Sequence, residues 1–244
     1  MKIIGVIPAR FKSTRFPGKP LADICGKPMV WWVYHRASQV KLFDRLYVAT
    51  DDDRIKEVCK KFNIEVMMTS SQHPTGTDRV AEVARKIKAD LYVNIQGDEP
   101  LMSPQNIEAA IKPFLENKKG MGVTNLMAKV TRLSDLLDTT VPKVVVNNNK
   151  EAIFLSRLPV PYPKDTRTDV IYYKQICVYG FLPWALEKFS VLPQGFCERV
   201  EQIELLRFIE NHIVVKMVEV EEDTIAVDTP SDLERVRRII SEKN

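Results

Sequence analysis

Residues 3–21 constrain this chain more than any other stretch. Ile3 to Ile7 is a short, nearly unbroken apolar run, which suits a strand buried on both faces of a parallel sheet. Pro8 cannot donate to a sheet ladder, so the strand is expected to stop there. The loop that follows carries Arg10, Lys12, Arg15 and Lys19, with hydroxyls at Ser13 and Thr14, and Gly18 permits a turn that a side chain would block. Open parallel sheets bind ligands just beyond the carboxyl ends of their strands, where this loop sits. Its four cations could offset the charge of a nucleoside triphosphate; the plainer alternative is a solvated basic loop. It contains neither G-x-x-x-x-G-K-[ST] nor G-x-G-x-x-G.

Strand and helix patterns then alternate. Val30, Val33, Tyr34 and Ala37 form a core-facing stripe after Pro28, and Arg45 to Thr50 reads as a strand. Asp51, Asp52 and Asp53 precede a helical pattern from Ile55, where capping and dipole placement explain them better than a metal site. After a strand at 64–68, His73 to Arg79 leads into a helix from about Val80 to Lys88, with Thr77 or Asp78 as N-cap. Leu91 to Gln96 is a central strand ending in Gly97-Asp98, a carboxylate facing the basic loop across one crevice. Magnesium is commonly held by one or two carboxylates plus substrate phosphates, which makes Asp98 a candidate ligand.

Further on, Pro104 starts a helix, segments 122–130 and 141–146 read as strands, and 147–150 is a hairpin turn. Prolines 159, 161 and 163 exclude helix or central strand, so 159–168 is expected to be an arm or lid. A strand at 172–181 and a short helix near 184–188 precede Cys197 to Arg207. That segment reads as one amphipathic helix with Val200 and Ile203 inward and Glu198, Glu201 and Glu204 on a solvated face, Arg207 being the i+3 partner of Glu204. Val214 to Val218 is the last strand, and Asp228 precedes a helix begun by Pro230 and capped by Thr229. The alternation predicts an α/β fold, a mostly parallel central sheet with helices on both faces.

Composition narrows the class. With 45% hydrophobic and 28% charged residues the chain is ordinary globular protein, and its net charge of +4 fits a small anionic substrate better than nucleic acid. Cys25, Cys59, Cys177 and Cys197 form no C-x-x-C pair and the three histidines do not cluster, against zinc or thioredoxin-type chemistry. No signal peptide or membrane span is recognisable, so a cytoplasmic protein without a membrane partner is expected.

Ile-Pro-Ala-Arg followed by Ser-Thr-Arg-Phe-Pro-Gly-Lys-Pro-Leu, Gln-Gly-Asp-Glu-Pro at 96–100 and Val-Asp-Thr-Pro at 227–230 resemble the 3-deoxy-manno-octulosonate cytidylyltransferase (CMP-Kdo synthetase) family. The resemblance covers essentially the whole chain, more loosely in its second half. It implies a nucleotide-diphospho-sugar transferase (Rossmann-like) fold in one domain, 1–244. Within it, 1–130 would serve mainly the nucleotide, 131–220 the sugar and a dimer arm, and 221–244 a metal-ligand loop and final helix. It implies CTP binding by Ala9, Arg10, Arg15, Lys19, Gly76, Thr77, Arg79 and Gln96, and sugar binding by Arg157, Tyr179, Glu201 and Gln202. Arg157 suits a sugar-acid carboxylate, which a guanidinium binds bidentately. Asp98 and Asp228 would hold one or two Mg2+ ions and, with Arg10 and Lys19, form the catalytic set.

The implied reaction is attack of the Kdo anomeric hydroxyl on the CTP α-phosphorus, giving CMP-Kdo and pyrophosphate for lipopolysaccharide synthesis, in a homodimer. Cys25 stands where family members often have asparagine, and Gln175 where some have histidine, so one sugar contact is expected to differ. CMP-sialate synthetases share the chemistry but open with a glycine-rich segment and Lys-Asn; sugar-1-phosphate nucleotidyltransferases open Gly-x-Gly-x-Arg. A non-catalytic nucleotide or nucleic-acid binder would have no need of two metal ligands.

Overall fold

A computed structural model describes residues 1–12, 16–116, 120–165, 169–221 and 224–242. The first strand, β1 (Ile3–Ala9), is buried at every position, as its apolar run requires. It continues through Pro8 rather than stopping there. Its ladder with the neighbour on one side ends at Val6, so the missing Pro8 N–H interrupts no bond on that side. A small antiparallel pair, β2 (Asp23–Ile24) and β3 (Lys27–Pro28), leads into α1 (Met29–Ala37), which buries Met29, Val30, Val33 and Ala37. Then come β4 (Arg45–Thr50), α2 (Asp53–Lys61) and β5 (Val66–Met68). Asp52 caps α2 by accepting from the Arg54 N–H at 3.0 Å.

α3 spans Gly76–Lys86, starting about four residues earlier than the apolar period indicates. The cap is Thr75, whose hydroxyl accepts from the Asp78 N–H; Gly76 and Thr77 therefore lie inside the first turn. The chain proceeds through β6 (Leu91–Ile95), α4 (Pro104–Leu115), β7 (Val123–Lys129), α5 (Leu133–Leu137), β8 (Lys143–Val146) and β9 (Ala152–Ser156). No helix or strand occupies 159–165, and 166–168 lie outside the described residues. β10 (Tyr173–Phe181) and α6 (Pro183–Val191) follow.

The expected single helix at 197–207 is two: α7 (Phe196–Glu201) and α8 (Leu205–Glu210), broken at Gln202 with φ 52°. The break leaves Val200 64% exposed instead of inward. Glu198, far from solvated, is buried and pairs with Arg207, its guanidinium donating to both carboxylate oxygens at 2.6 and 2.8 Å. β11 (Val215–Glu219) and α9 (Pro230–Ser241) close the chain, α9 opening with a Thr229/Asp232 capping box.

The main sheet runs β11-β7-β10-β6-β1-β4-β5, with β8 beside β10 and β9 beside β8. β6, β1, β4 and β5 are parallel neighbours, as are β11 and β7; β10 is antiparallel between the two groups. α1, α2 and α4 bury their apolar stripes on one face, and α3, α6 and α8 on the other. A third cluster packs Leu233, Val236 and Ile240 of α9 with Val227 against Ile24 and Met29, which returns the end of the chain to its beginning.

Candidate functional site

β1 leads to β4 on one side of itself while β6 lies on the other, so the strand order reverses between β1 and β6. A crevice opens at their carboxyl ends, the place where open α/β sheets receive ligands. Pro8, Ala9 and Arg10 form one wall and Gln96, Gly97 and Asp98 another; the 73–76 segment, Arg79, Lys19, Glu204 and Asp228 complete it.

Local backbone explains how these groups arrive. Gly18, at φ 73°, donates its N–H to the Phe11 carbonyl at 2.9 Å, closing the basic loop and launching the short turn Lys19–Leu21. Lys19 is thereby aimed into the crevice, where its ammonium lies 2.7 Å from Asp98 Oδ2 and 3.3 Å from Asp228 Oδ1. The two aspartates are 130 residues apart in sequence, and the Val227 N–H donating to the Asp98 carbonyl at 2.8 Å joins their loops. Gly97 lets that turn press against β1: a Cβ there would stand 2.6 Å from the Pro8 carbonyl oxygen.

Arg79, 4% exposed, reaches the floor from α3. Its guanidinium lies 3.1 Å from Asp51 Oδ1, donates to the Ser70 carbonyl at 3.4 Å and makes a short bond to the Thr69 hydroxyl. Burial lowers its pKa, and Asp51 opposes that shift. At the rim His73 Nε2 meets Glu82 Oε2 at 2.5 Å, a carboxylate that also accepts from the Ser70 N–H and Lys86. Burial alone would raise the Glu82 carboxyl; Lys86, Ser70 and His73 outweigh it and hold it at about 2.

Glu204 is the crevice group whose role the sequence concealed. Its carboxylate accepts the backbone N–H groups of Gly76 and Thr77 at 3.2 and 3.1 Å, occupying the start of α3. Desolvation raises its pKa against the pull of those donors. A three-residue carboxylate spacing concealed it, because only the break at Gln202 separates the three glutamates. Asp51 was masked too, by its place in a capping triplet, although a residue directly after a strand's carboxyl end carried a signal.

Of the residues expected to bind nucleotide, Ala9, Arg10, Lys19, Gly76, Arg79 and Gln96 line this crevice, together with both aspartates. Thr77 is buried behind it and Arg15 lies outside the described residues. The four sugar-side residues are not on its lining. Arg157 joins the α7 end: its Nε, Nη1 and Nη2 donate to the carbonyls of Glu201, Thr139 and Gln202 at 2.6, 2.8 and 3.2 Å. Its N–H donates to Glu201 Oε2 at 2.9 Å. Tyr179 is buried in β10, 3.4 Å from Gln175 Nε2, and that burial pushes its phenol well above the ordinary value. Gln175 also donates to Asn125 Oδ1 at 3.1 Å.

Among the described residues no three His, Cys, Asp or Glu side chains converge as a closed metal cage. Two carboxylates meeting one ammonium in a crevice that also holds Arg10 and Arg79 do suit an ion held partly by substrate oxygens.

Sheet order, crevice position and this pairing of charges define the class as a Rossmann-like α/β fold with an anion- and metal-suited crevice, and the similar proteins make it a nucleotidyltransferase. The sequence model of the Cytidylyltransferase family matches residues 4–222. The chain belongs to the 3-deoxy-manno-octulosonate cytidylyltransferase family. It is 43% identical over 247 residues to the enzyme of that name from Trichlorobacter lovleyi, covering 97% of this chain and 98% of the relative. The Solibacter usitatus enzyme is 44% identical over 238 residues, covering 98% and 94%. Among solved structures, CMP:2-keto-3-deoxy-manno-octonic acid synthetase complexed with CTP superimposes with a TM-score of 0.93 at 37% identity, covering each chain fully. A cytidylyltransferase from Leptospira borgpetersenii, at TM-score 0.65 and 20% identity over 99% of this chain and 87% of its own, shares the fold.

Proposed function

We infer that this chain transfers the cytidylyl group of CTP to 3-deoxy-manno-octulosonate, releasing pyrophosphate and forming CMP-Kdo for lipopolysaccharide synthesis. Supporting this is the convergence of Lys19, Asp98 and Asp228 at the β1/β6 strand ends, in a chain so similar to named enzymes of that activity.

In this reading Arg10, Arg15 and Lys19 hold the β- and γ-phosphates, and the Gly76 and Gln96 wall takes the nucleoside. Asp98 and Asp228 hold Mg2+, one ion or two, which when bound neutralises α-phosphate charge and acidifies the attacking hydroxyl. The chain itself orients that hydroxyl in line with the leaving pyrophosphate, and little covalent work falls to it. Arg157 with Glu201, Gln202 and Tyr179 forms the sugar-acid side. For Arg157 to take a carboxylate in a bidentate grip, some of its three carbonyl bonds have to give way.

The domain is divided functionally as the family likeness implies, 1–130 toward the nucleotide and 131–220 toward the sugar. Leu158, Tyr162 and Ile171, in and beside the mid-chain arm and 64%, 87% and 61% exposed, fit a homodimer contact. No helix among the described residues is long and apolar enough to cross a membrane. A nucleoside triphosphate substrate supports a cytoplasmic reaction.

The deciding experiment measures pyrophosphate release from CTP and Mg2+, with Kdo and N-acetylneuraminate side by side. Release with Kdo alone, abolished by chelator, is expected. Release only with the sialic acid would overturn the substrate. Asp98→Asn should fold normally and lose about a hundredfold or more in turnover. Near-normal turnover would remove Asp98 from the metal site.

A further inference from the structure

The ammonium of Lys19 stands between the two carboxylates assigned above to the metal, 2.7 Å from Asp98 and 3.3 Å from Asp228. All three side chains are largely withdrawn from solvent, at 13%, 28% and 24% exposure, where ionic contacts are screened far less than at the surface. The aspartates are positioned independently of the lysine. One follows β6, and the other is tied down by the Val227–Asp98 backbone bond and the α9 capping box. Lys19 ends a flexible four-carbon stem, so it is the member of the trio able to leave.

We propose that Lys19 is a resident counter-cation that keeps a free divalent ion off the Asp98–Asp228 pair, so that the pair accepts metal selectively in the company of a triphosphate. This rests on the assignment of those two carboxylates to the metal. A divalent ion arriving alone either shares the site with an ammonium of like charge or drives it out. The walls around it already hold Arg10 and Arg79, and Arg79 has taken Asp51 as its own partner. A triphosphate changes the balance, because its oxygens offer the ammonium a new anion while completing the coordination of the metal. Metal and nucleotide then bind with positive coupling, and the coupling energy resides in Lys19. The same side chain serves the phosphates in the reaction and guards the carboxylates before it.

The test is Mn2+ binding followed by electron paramagnetic resonance, first without nucleotide and then with CTP, in the absence of sugar. The wild-type chain should bind Mn2+ weakly alone and much more tightly with CTP. Lys19→Met should bind Mn2+ without nucleotide about tenfold tighter or better, with the CTP-dependent gain shrunk correspondingly. Asp98→Asn in the Lys19→Met background should abolish the gained site. Lys19→Gln repeats the measurement with a polar side chain, and thermal unfolding of each variant checks that it is folded.

In the unmutated protein, the Lys19 ammonium signal in nitrogen-15 NMR should be protected from exchange without ligand and should move on adding CTP with Mg2+. Equal nucleotide-free Mn2+ affinity in wild type and both Lys19 variants, with Asp98→Asn still weakening Mn2+ binding in the presence of CTP, overturns the counter-cation and leaves the metal site standing. Unchanged Mn2+ binding in Asp98→Asn with CTP present overturns the metal assignment itself, and the proposal with it.

Discussion

Gly97 carries a constraint no other residue type meets. The Cβ of an alanine would sit 2.6 Å from the Pro8 carbonyl oxygen, a backbone atom that cannot swing aside as a side chain can. Gly97→Ala should therefore destabilise the fold by about 1–3 kcal/mol, measured by denaturant unfolding, and weaken CTP binding by parting the ends of β1 and β6. Glu82 carries a different kind of prediction. Its folded pKa of about 2 lies below the ordinary 4.5, so its contribution to stability is complete above 4.5 and is lost as the pH falls toward 2. Glu82→Gln should lower the unfolding temperature at pH 7, and its deficit against wild type should close between pH 4.5 and 2. A deficit that ignores pH would show that the charge of Glu82 is not what holds Ser70, His73 and Lys86.

Elements carry the next scale, where α7 and α8 are most instructive. Arg207 is 4% exposed and Glu198 2%, and the guanidinium also stacks on Phe189 with its carbon 3.7 Å from the ring centroid. Nη1 donates to the Phe189 carbonyl at 2.9 Å and lies 3.9 Å from Asp78 at the start of α3, so one cation pins α6, α7 and α8 beside the crevice. Removing one partner leaves a buried charge without compensation. Glu198→Ala should cost about 3–5 kcal/mol in equilibrium unfolding, more than an exposed glutamate on the same helices. The bend at Gln202 follows from the same contacts. It sends Glu198 to Arg207, Glu201 to the Arg157 N–H and Glu204 to the start of α3, three destinations that a continuous helix could not serve.

At the scale of the whole molecule, exposed apolar side chains bear on assembly. Leu158, Tyr162 and Ile171 are exposed in and beside the arm, and Leu133 and Leu137 of α5 add 69% and 63% exposed leucines. Sedimentation should show a dimer, and Tyr162→Asp should shift it toward monomer at low protein concentration while leaving the far-ultraviolet circular dichroism unchanged. A dimer untouched by that charge would place the contact elsewhere.

Much of this architecture is readable from the chain because its causes are local. Apolar runs at Ile3 to Ile7 and Leu91 to Ile95 mark the two strands that bracket the crevice, and the hydroxyl and carboxyl pair Thr229 and Asp232 marks the start of α9. The positions of Lys19, Asp98 and Asp228 at loop ends are legible for the same reason, whereas a metal role for Asp228 came from the family resemblance, its local pattern reading only as a cap or turn. What only the tertiary structure decided is which groups meet. Periodicity continues unbroken through Gln202, so nothing local announces the break there. No spacing reveals that Glu204 covers the Gly76 and Thr77 amides, that Arg79 spends its charge on Asp51, or that Lys19 waits between two aspartates. Those pairings join positions as much as 209 residues apart, and they exist because charges withdrawn from water must find partners wherever packing has brought the chain.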